Sequence, residues 1–268
     1  MSKQAFCEYC LNMNLQSFPW RILTRKRYER LVLESEERDK LLKDKSLLET
    51  LPEEMAGFFL KNIPLSNSQN LQDLFFIWEL NKKKNGFFVE IGACDGVLFS
   101  NTLLLERNYG WNGILVEPAR CWHEKLRNNR NSVIAYDFIG SQSGETILFN
   151  EAPEAEFSGA HQLVKLDHNS GRRIGGFQYE IKTLSLQDLL ERNQAPKNID
   201  FLSIDVEGGE LDILSHFPFN KHTIRAICCE HNFTSQRDKI YGLLLNKGYL
   251  RKYESLSGND DWYFLNQA

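Results

Sequence analysis

No stretch of this sequence approaches the roughly 20 consecutive apolar residues that cross a bilayer. The first residues also lack a charged segment followed by a long apolar one, so the expectation is a cytoplasmic protein with no transmembrane segment. No second CxxC accompanies CEYC, Cys7 to Cys10, to complete a four-cysteine zinc site. With Cys94, Cys121, Cys228 and Cys229 these cysteines read as free thiols in a reducing compartment. A basic excess is missing too: 32 Lys plus Arg stand against 36 Asp plus Glu, a formal net charge of −4, which argues against nucleic acid as the partner. There is no GxxxxGK(S/T) phosphate loop and no YxxxK pair.

What is present suits a folded α/β chain. Across 268 residues the apolar share is 42% and the aromatic share 12%, which excludes a mostly disordered chain. From Thr24 to Leu51 the sequence is rich in Arg, Lys, Glu and Leu and free of Gly and Pro, a helical texture. Its apolar positions lapse across Ser35 to Lys40, as in two helices or one solvent-crossing rod. Pro52 suits the first turn of another helix, and Pro64 with SNSQN marks a linker or cap. A helical pattern resumes over Leu71 to Lys83. The expected organisation is an N-terminal helical extension, 1–66, and an α/β domain, 67–268. The extension is a candidate surface for a homodimer, a lid or a docking partner.

From Phe87 onward short apolar runs alternate with amphipathic stretches, as in a parallel sheet covered by helices. FFVEIG, GILVEP, SVIAYD, IDFLSID and IRAICCE read as strands. Helices are expected over Asn101–Asn108, Arg120–Asn128, Leu184–Asn193, Glu210–His216 and Ser235–Lys247. The insert EFSGAHQLVKLDHNSGRRIGG shows little regular periodicity and reads as a substrate-covering loop. The tail after Lys247 predicts two antiparallel strands around SGND.

Ligands of open α/β sheets bind at the carboxyl ends of the strands, and here four of the five expected strands end on a carboxylate, while the first has Glu90 just before its glycine turn. VEIGACDG gives Glu90, Gly92 and Gly96 on a strand-to-helix turn where glycine permits close backbone approach. Cys94 occupies the middle glycine of a dinucleotide fingerprint, which serves a pyrophosphate poorly. That disfavours an NAD-dependent sugar oxidoreductase. Glu117 closes the next strand, placed to accept from the vicinal hydroxyls of a ribose. Asp137 closes the third and is a candidate for an adenine amino group, with Phe138 or Ile139 against the ring.

The fourth ending gathers Asp205, Glu207 and Glu210 around Gly208-Gly209. Carboxylates this dense repel unless they share a proton, a cation or a cationic substrate, although helix capping explains part of the pattern. The fifth gives Glu230, His231 and Asn232, beside the fourth in a sheet of this order. Asp205, Glu230 and His231 would suit Mg²⁺ or Mn²⁺. Lesser candidates are His161 and His168 as bases and Arg172 and Arg173 for a phosphate. The cluster Arg21, Arg25, Lys26, Arg27 and Arg30 reads as a solvated helix face.

FFVEIGACDG, GILVEP, IDFLSIDVEGGELDIL and IRAICCEHN, in that order, resemble the FkbM family of S-adenosylmethionine-dependent methyltransferases. The resemblance covers roughly Ser68 to the C-terminus. It implies a Rossmann-like seven-stranded methyltransferase sheet with helices on both faces and a final antiparallel hairpin. It places S-adenosylmethionine on the turn from Glu90 to Gly96, which includes Ala93 and Asp95, with its ribose on Glu117. It also implies O-methylation of a saccharide or saccharide-bearing metabolite, or of a polyketide-type hydroxyl. Glu90 and Cys94 stand where Asp and Asn are commoner in the family, and neither change removes a carboxylate or a glycine. Activation of a hydroxyl would then fall to His231 as base or to a cation on Asp205 and Glu230, the cation being the expectation, with Glu207 beside it. A non-catalytic binding module of the same fold is the alternative, and the intact Glu90, Gly92, Gly96 and Glu117 set speaks against it.

Overall fold

The apolar runs become strands because both of their faces are covered. The computed structural model describes residues 45–163 and 170–266. Cys7, Cys10, the Arg21 to Arg30 cluster, His168 and most of the expected N-terminal helix and dimer surface lie outside that range. The described residues divide into two compact units between Leu60 and Lys61. In the first, a helical stretch over 45–50 is followed by the helix Glu53–Asn62, which begins after Pro52 as that proline suggests.

In the second unit, β1 (Phe87–Ile91), β2 (Asn112–Val116), β3 (Val133–Ala135), β9 (Phe201–Ile204), β11 (Ala226–Glu230), β12 (Tyr249–Lys252) and β13 (Asp260–Leu265) form one sheet. Its order is β12-β13-β11-β9-β1-β2-β3. Every pairing is parallel except those of β13, which runs antiparallel to both β11 and β12. This is the expected seven-stranded sheet with a C-terminal antiparallel hairpin. Alternation sets the two faces. Val89, Ile91, Val116, Leu202, Ile204 and Ile227 pack toward Leu189, Leu190, Ile213, Leu214, Ile240 and Leu244. These belong to α4 (Leu186–Arg192), α5 (Glu210–His216) and α6 (Arg237–Asn246). On the opposite face α1 (Gln72–Glu79) sets Phe76 against Phe201 at 4.2 Å and Phe264 at 5.0 Å between ring centroids. Two further helices, α2 (Leu103–Tyr109) and α3 (His123–Asn129), follow β1 and β2.

Three expectations are corrected here. SVIAYD is not one strand: β3 ends at Ala135, and Phe138 opens β4 (Phe138–Gly140) in a different sheet. The hairpin is joined through 253–259, with Tyr253 and Gly258 at positive φ, rather than by a tight SGND turn. The insert, 156–176, is not merely a loop, since Gly159–Ala160 within it is a strand, and strands that the sequence expectation did not contain lie on either side of it. β5 (Thr146–Glu151), β6 (Gly159–Ala160) and β7 (Phe177–Ser185) join β4 in a second sheet of order β4-β7-β5-β6, and β8 (Asn198–Ile199) pairs in parallel with β10 (Thr223–Ile224). Ala119, Phe138, Phe149 and Ala160 form its small core.

Among the described residues no helix is long and apolar enough to cross a membrane. A chain beginning at Ile63 is expected to melt cooperatively, since the sheet and both its covering layers lie after that residue. Loss of a cooperative thermal transition in that truncation would put the boundary elsewhere.

Candidate functional site

The carboxyl ends of β1, β2, β9 and β11 open onto one cleft of about 320 Å³, within the range of small-molecule sites. At one end, Gly92 and Ala93 both donate N–H to Val116 O, which folds the turn after β1 against β2. Gly92 (φ +89°) lies so close to β9 that an added Cβ would stand 2.1 Å from the carbonyl oxygen of Asp205. Only glycine fits there. Glu117, buried at the end of β2, accepts from Cys94 N–H at 2.8 Å and from Ala119 N–H at 2.7 Å. A carboxylate has about four acceptor sites, so each oxygen keeps one for a ligand. Burial raises its pKa to about 7 against the pull of those two N–H groups. Phe138 and Ile139 form the apolar wall beside it.

Glu90 lines the cleft, but its carboxylate is engaged behind it by Ser100 Oγ, Asn101 N–H, Thr102 Oγ1 and the Arg130 guanidinium. It braces the loop that enters α2. Asn101 extends from that loop, donating Nδ2–H to Ser203 Oγ at 3.0 Å. Its Oδ1 is buried with no protein partner.

At the other end Asp205, Glu207 and Glu230 bring carboxylate oxygens within 4.8 Å of one another. Asp205 faces the open cleft and water reaches it. Desolvation by the surrounding cleft walls, with the nearby Asp260 and Glu210 charges, raises its pKa to about 7. Glu230 is buried, and burial with the neighbouring Asp205 and Glu207 charges pushes its pKa well up. A hydrogen bond joins the two carboxyl groups, and the deeper burial favours the protonated form of Glu230. Glu207, at φ +60°, is met by the buried guanidinium of Arg173. One proton and one guanidinium thus offset the like charges.

Of the predicted residues, Ala93, Asp95, Gly96, Asp137 and His231 do not line the cleft. Asp95 caps the N–H groups of Val97 and Leu98. Asp137 turns outward to the Arg192 guanidinium, because the chain breaks between β3 and β4 at that point. His231 is buried behind the wall, its Nδ1 accepting from Phe233 N–H and its Nε2 3.8 Å from Asp261. Burial lowers its pKa despite that carboxylate. It therefore does not stand as a base or third metal ligand, and Glu207 takes the third place beside Asp205 and Glu230. Glu210 is likewise local, accepting from Val206 and Gly208 N–H. His161 is exposed against Gln178.

The methyltransferase FkbM domain model matches residues 90–251, more than half of the chain and all of these strand ends. The chain belongs to the FkbM methyltransferase family. The crystal structure of methyltransferase FkbM from Methylobacillus flagellatus KT aligns with a TM-score of 0.44 at 12% identity, over 77% of this chain and 59% of that one. A precorrin-6y C5,15-methyltransferase from Geobacter metallireducens GS-15 aligns at 0.39 and 12%, over 71% and 84%. No curated protein matches the sequence.

Arg130 has no place in the sequence reading, and Arg173, marked there for a phosphate, meets a carboxylate instead. Arg130 is fully buried and donates to Gly96 O, Ser100 Oγ, Thr102 Oγ1 and Glu106, so it locks the glycine turn to the α2 entry. Arg173 arrives from the insert, and Asn150 Nδ2–H holds its carbonyl at 2.9 Å. Only a dense local run of hydrogen-bonding residues, Ser100, Asn101 and Thr102, hinted that Glu90 had partners.

Proposed function

We propose that this methyltransferase takes S-adenosylmethionine as methyl donor and transfers the methyl group to a hydroxyl of a saccharide or saccharide-bearing metabolite. The observation that carries the donor assignment is Glu117, whose two oxygens are fixed by Cys94 and Ala119 N–H with acceptor capacity left facing the cleft. The rest of the lining fits the same group. Phe138 and Ile139 suit an adenine ring, and the buried, unpartnered Oδ1 of Asn101 suits an ammonium. Arg172 is the lone cation among the described lining residues, so a pyrophosphate has little to hold it.

When bound, this donor supplies an electrophilic methyl carbon on a positively charged sulfur. The chain's own residues then position the acceptor oxygen in line and take its proton. Asp205 is the carboxylate open to the cleft, and Glu230 behind it is a hydrogen-bond donor, so Asp205 accepts the hydroxyl proton as the oxygen–carbon bond forms. Arg173 keeps Glu207 neutralised, and this reading needs no divalent cation at the trio.

Glu117→Ala is expected to weaken S-adenosylmethionine binding about tenfold to hundredfold, since hydrogen bonds to a charged group contribute roughly 1.5–3 kcal/mol. Calorimetric titration measures it, and unchanged affinity would remove Glu117 from the donor site.

A further inference from the structure

Phe99 combines three properties that packing does not explain. Its side chain lines the cleft, it is 50% exposed, and its backbone sits at φ +54°, a region that a Cβ disfavours. The loop around it is fixed on both sides. Leu98 N–H donates to Asp95 Oδ1 at 2.7 Å, and Asn101 N–H to Glu90 Oε1 at 2.7 Å. Ser68 Oγ donates to Ser100 O at 3.2 Å, and Ser68 bridges Phe99 through the backbone. A rigid, strained turn thus holds an aromatic ring out at the mouth rather than folding it into the core.

The cleft that the ring lines also carries planar polar groups. Gln69, next to the bridging Ser68, and Asn259 line the same cleft, which continues to Asp205, Glu207 and Glu230. An aromatic face beside amides and carboxylates suits one ligand surface in particular. A pyranose presents an apolar C–H face, slightly positive, to the negative face of an arene, and hydroxyls at its edge to planar acceptors. An aliphatic or polyketide acceptor would leave the amides unused. A phosphorylated one would meet the carboxylates.

We propose that Phe99 is the platform on which a pyranose ring of the acceptor stacks, with Gln69 and Asn259 addressing its hydroxyls. This rests on the saccharide reading above and assigns it a subsite.

The test uses the full chain saturated with S-adenosylhomocysteine and saturation-transfer NMR. The probes are methyl glucoside, mannoside, galactoside and rhamnoside, with sorbitol as an open-chain control. At least one pyranoside is expected to bind, with transfer strongest to the C–H protons of one ring face, and sorbitol is not. Phe99→Ala is expected to weaken that binding about tenfold and Phe99→Trp to keep it. Phe99→Gly is expected to lose binding as the Ala variant does while melting no lower than the parent, because glycine adopts positive φ freely. Homocysteine-cofactor affinity should stay unchanged in all three. Pyranoside binding that survives in Phe99→Ala, or sorbitol binding as well as a pyranoside, overturns the platform and leaves the saccharide reading standing. Absence of pyranoside binding in a chain that holds the cofactor overturns both. Failure to hold the cofactor strikes the donor assignment instead.

Discussion

Asp205→Asn is expected to lower kcat at saturating donor by about 10²- to 10⁴-fold, the usual contribution of a positioned base, while donor affinity changes only a few-fold. The amide keeps the shape of the side chain and loses the ability to take a proton. The same carboxylate sets the pH profile. Because burial raises Asp205 to about 7, the ionised form grows as pH rises, so kcat should climb through about pH 7 and level off above it. In Asp205→Asn that limb should vanish. Turnover is also expected to persist in EDTA, since Arg173 and the proton on Glu230 already serve the trio. A kcat within threefold of the parent would take the proton-accepting role away from Asp205.

Gly92→Ala is expected to cost about 3 kcal/mol or more, from a methyl group driven against the Asp205 carbonyl together with backbone strain at φ +89°. Gly144 supplies the control. It has nearly the same φ but nothing within 4 Å of an added Cβ, so Gly144→Ala isolates the backbone strain at about 1–2 kcal/mol. Urea melts of the two variants separate the terms. Equal losses would mean that β1 and β9 can move apart to admit the methyl.

Much of the sheet could be read in advance because each buried strand is a short, mostly apolar run with a functional residue at or near its carboxyl end. Glu90, Glu117, Asp205 and Glu230 are adjacent in the site because their strands are adjacent, and the order of β-α units foretells that. The second sheet was harder. β5 and β7 are half-exposed, so TILFNE and FQYEIKTLS carry mixed faces rather than apolar runs, although their alternation is visible afterwards. Side-chain direction within one strand end was harder still. Glu230 enters the cleft and His231 lies behind its wall, a difference of one residue that a period-2 strand converts into opposite sides. The carboxylate partners of the cations were beyond reach, because Arg130 lies 40 residues from Glu90 and Arg173 lies 34 from Glu207.

That last separation bears on which part of the chain sets the charge at the floor of the cleft. The guanidinium that balances the floor of the cleft is delivered by the insert, and Asn150 of the insert's own sheet anchors its backbone. Glu117, Gly92 and the Arg130 lock draw nothing from that segment in their hydrogen bonding. The charge balance at the floor of the cleft is thus set by the insert, while the hydrogen bonds on Glu117 and the glycine turn come from elsewhere in the chain, and the two meet where Ala119 and Phe138 pack with Phe149 and Ala160.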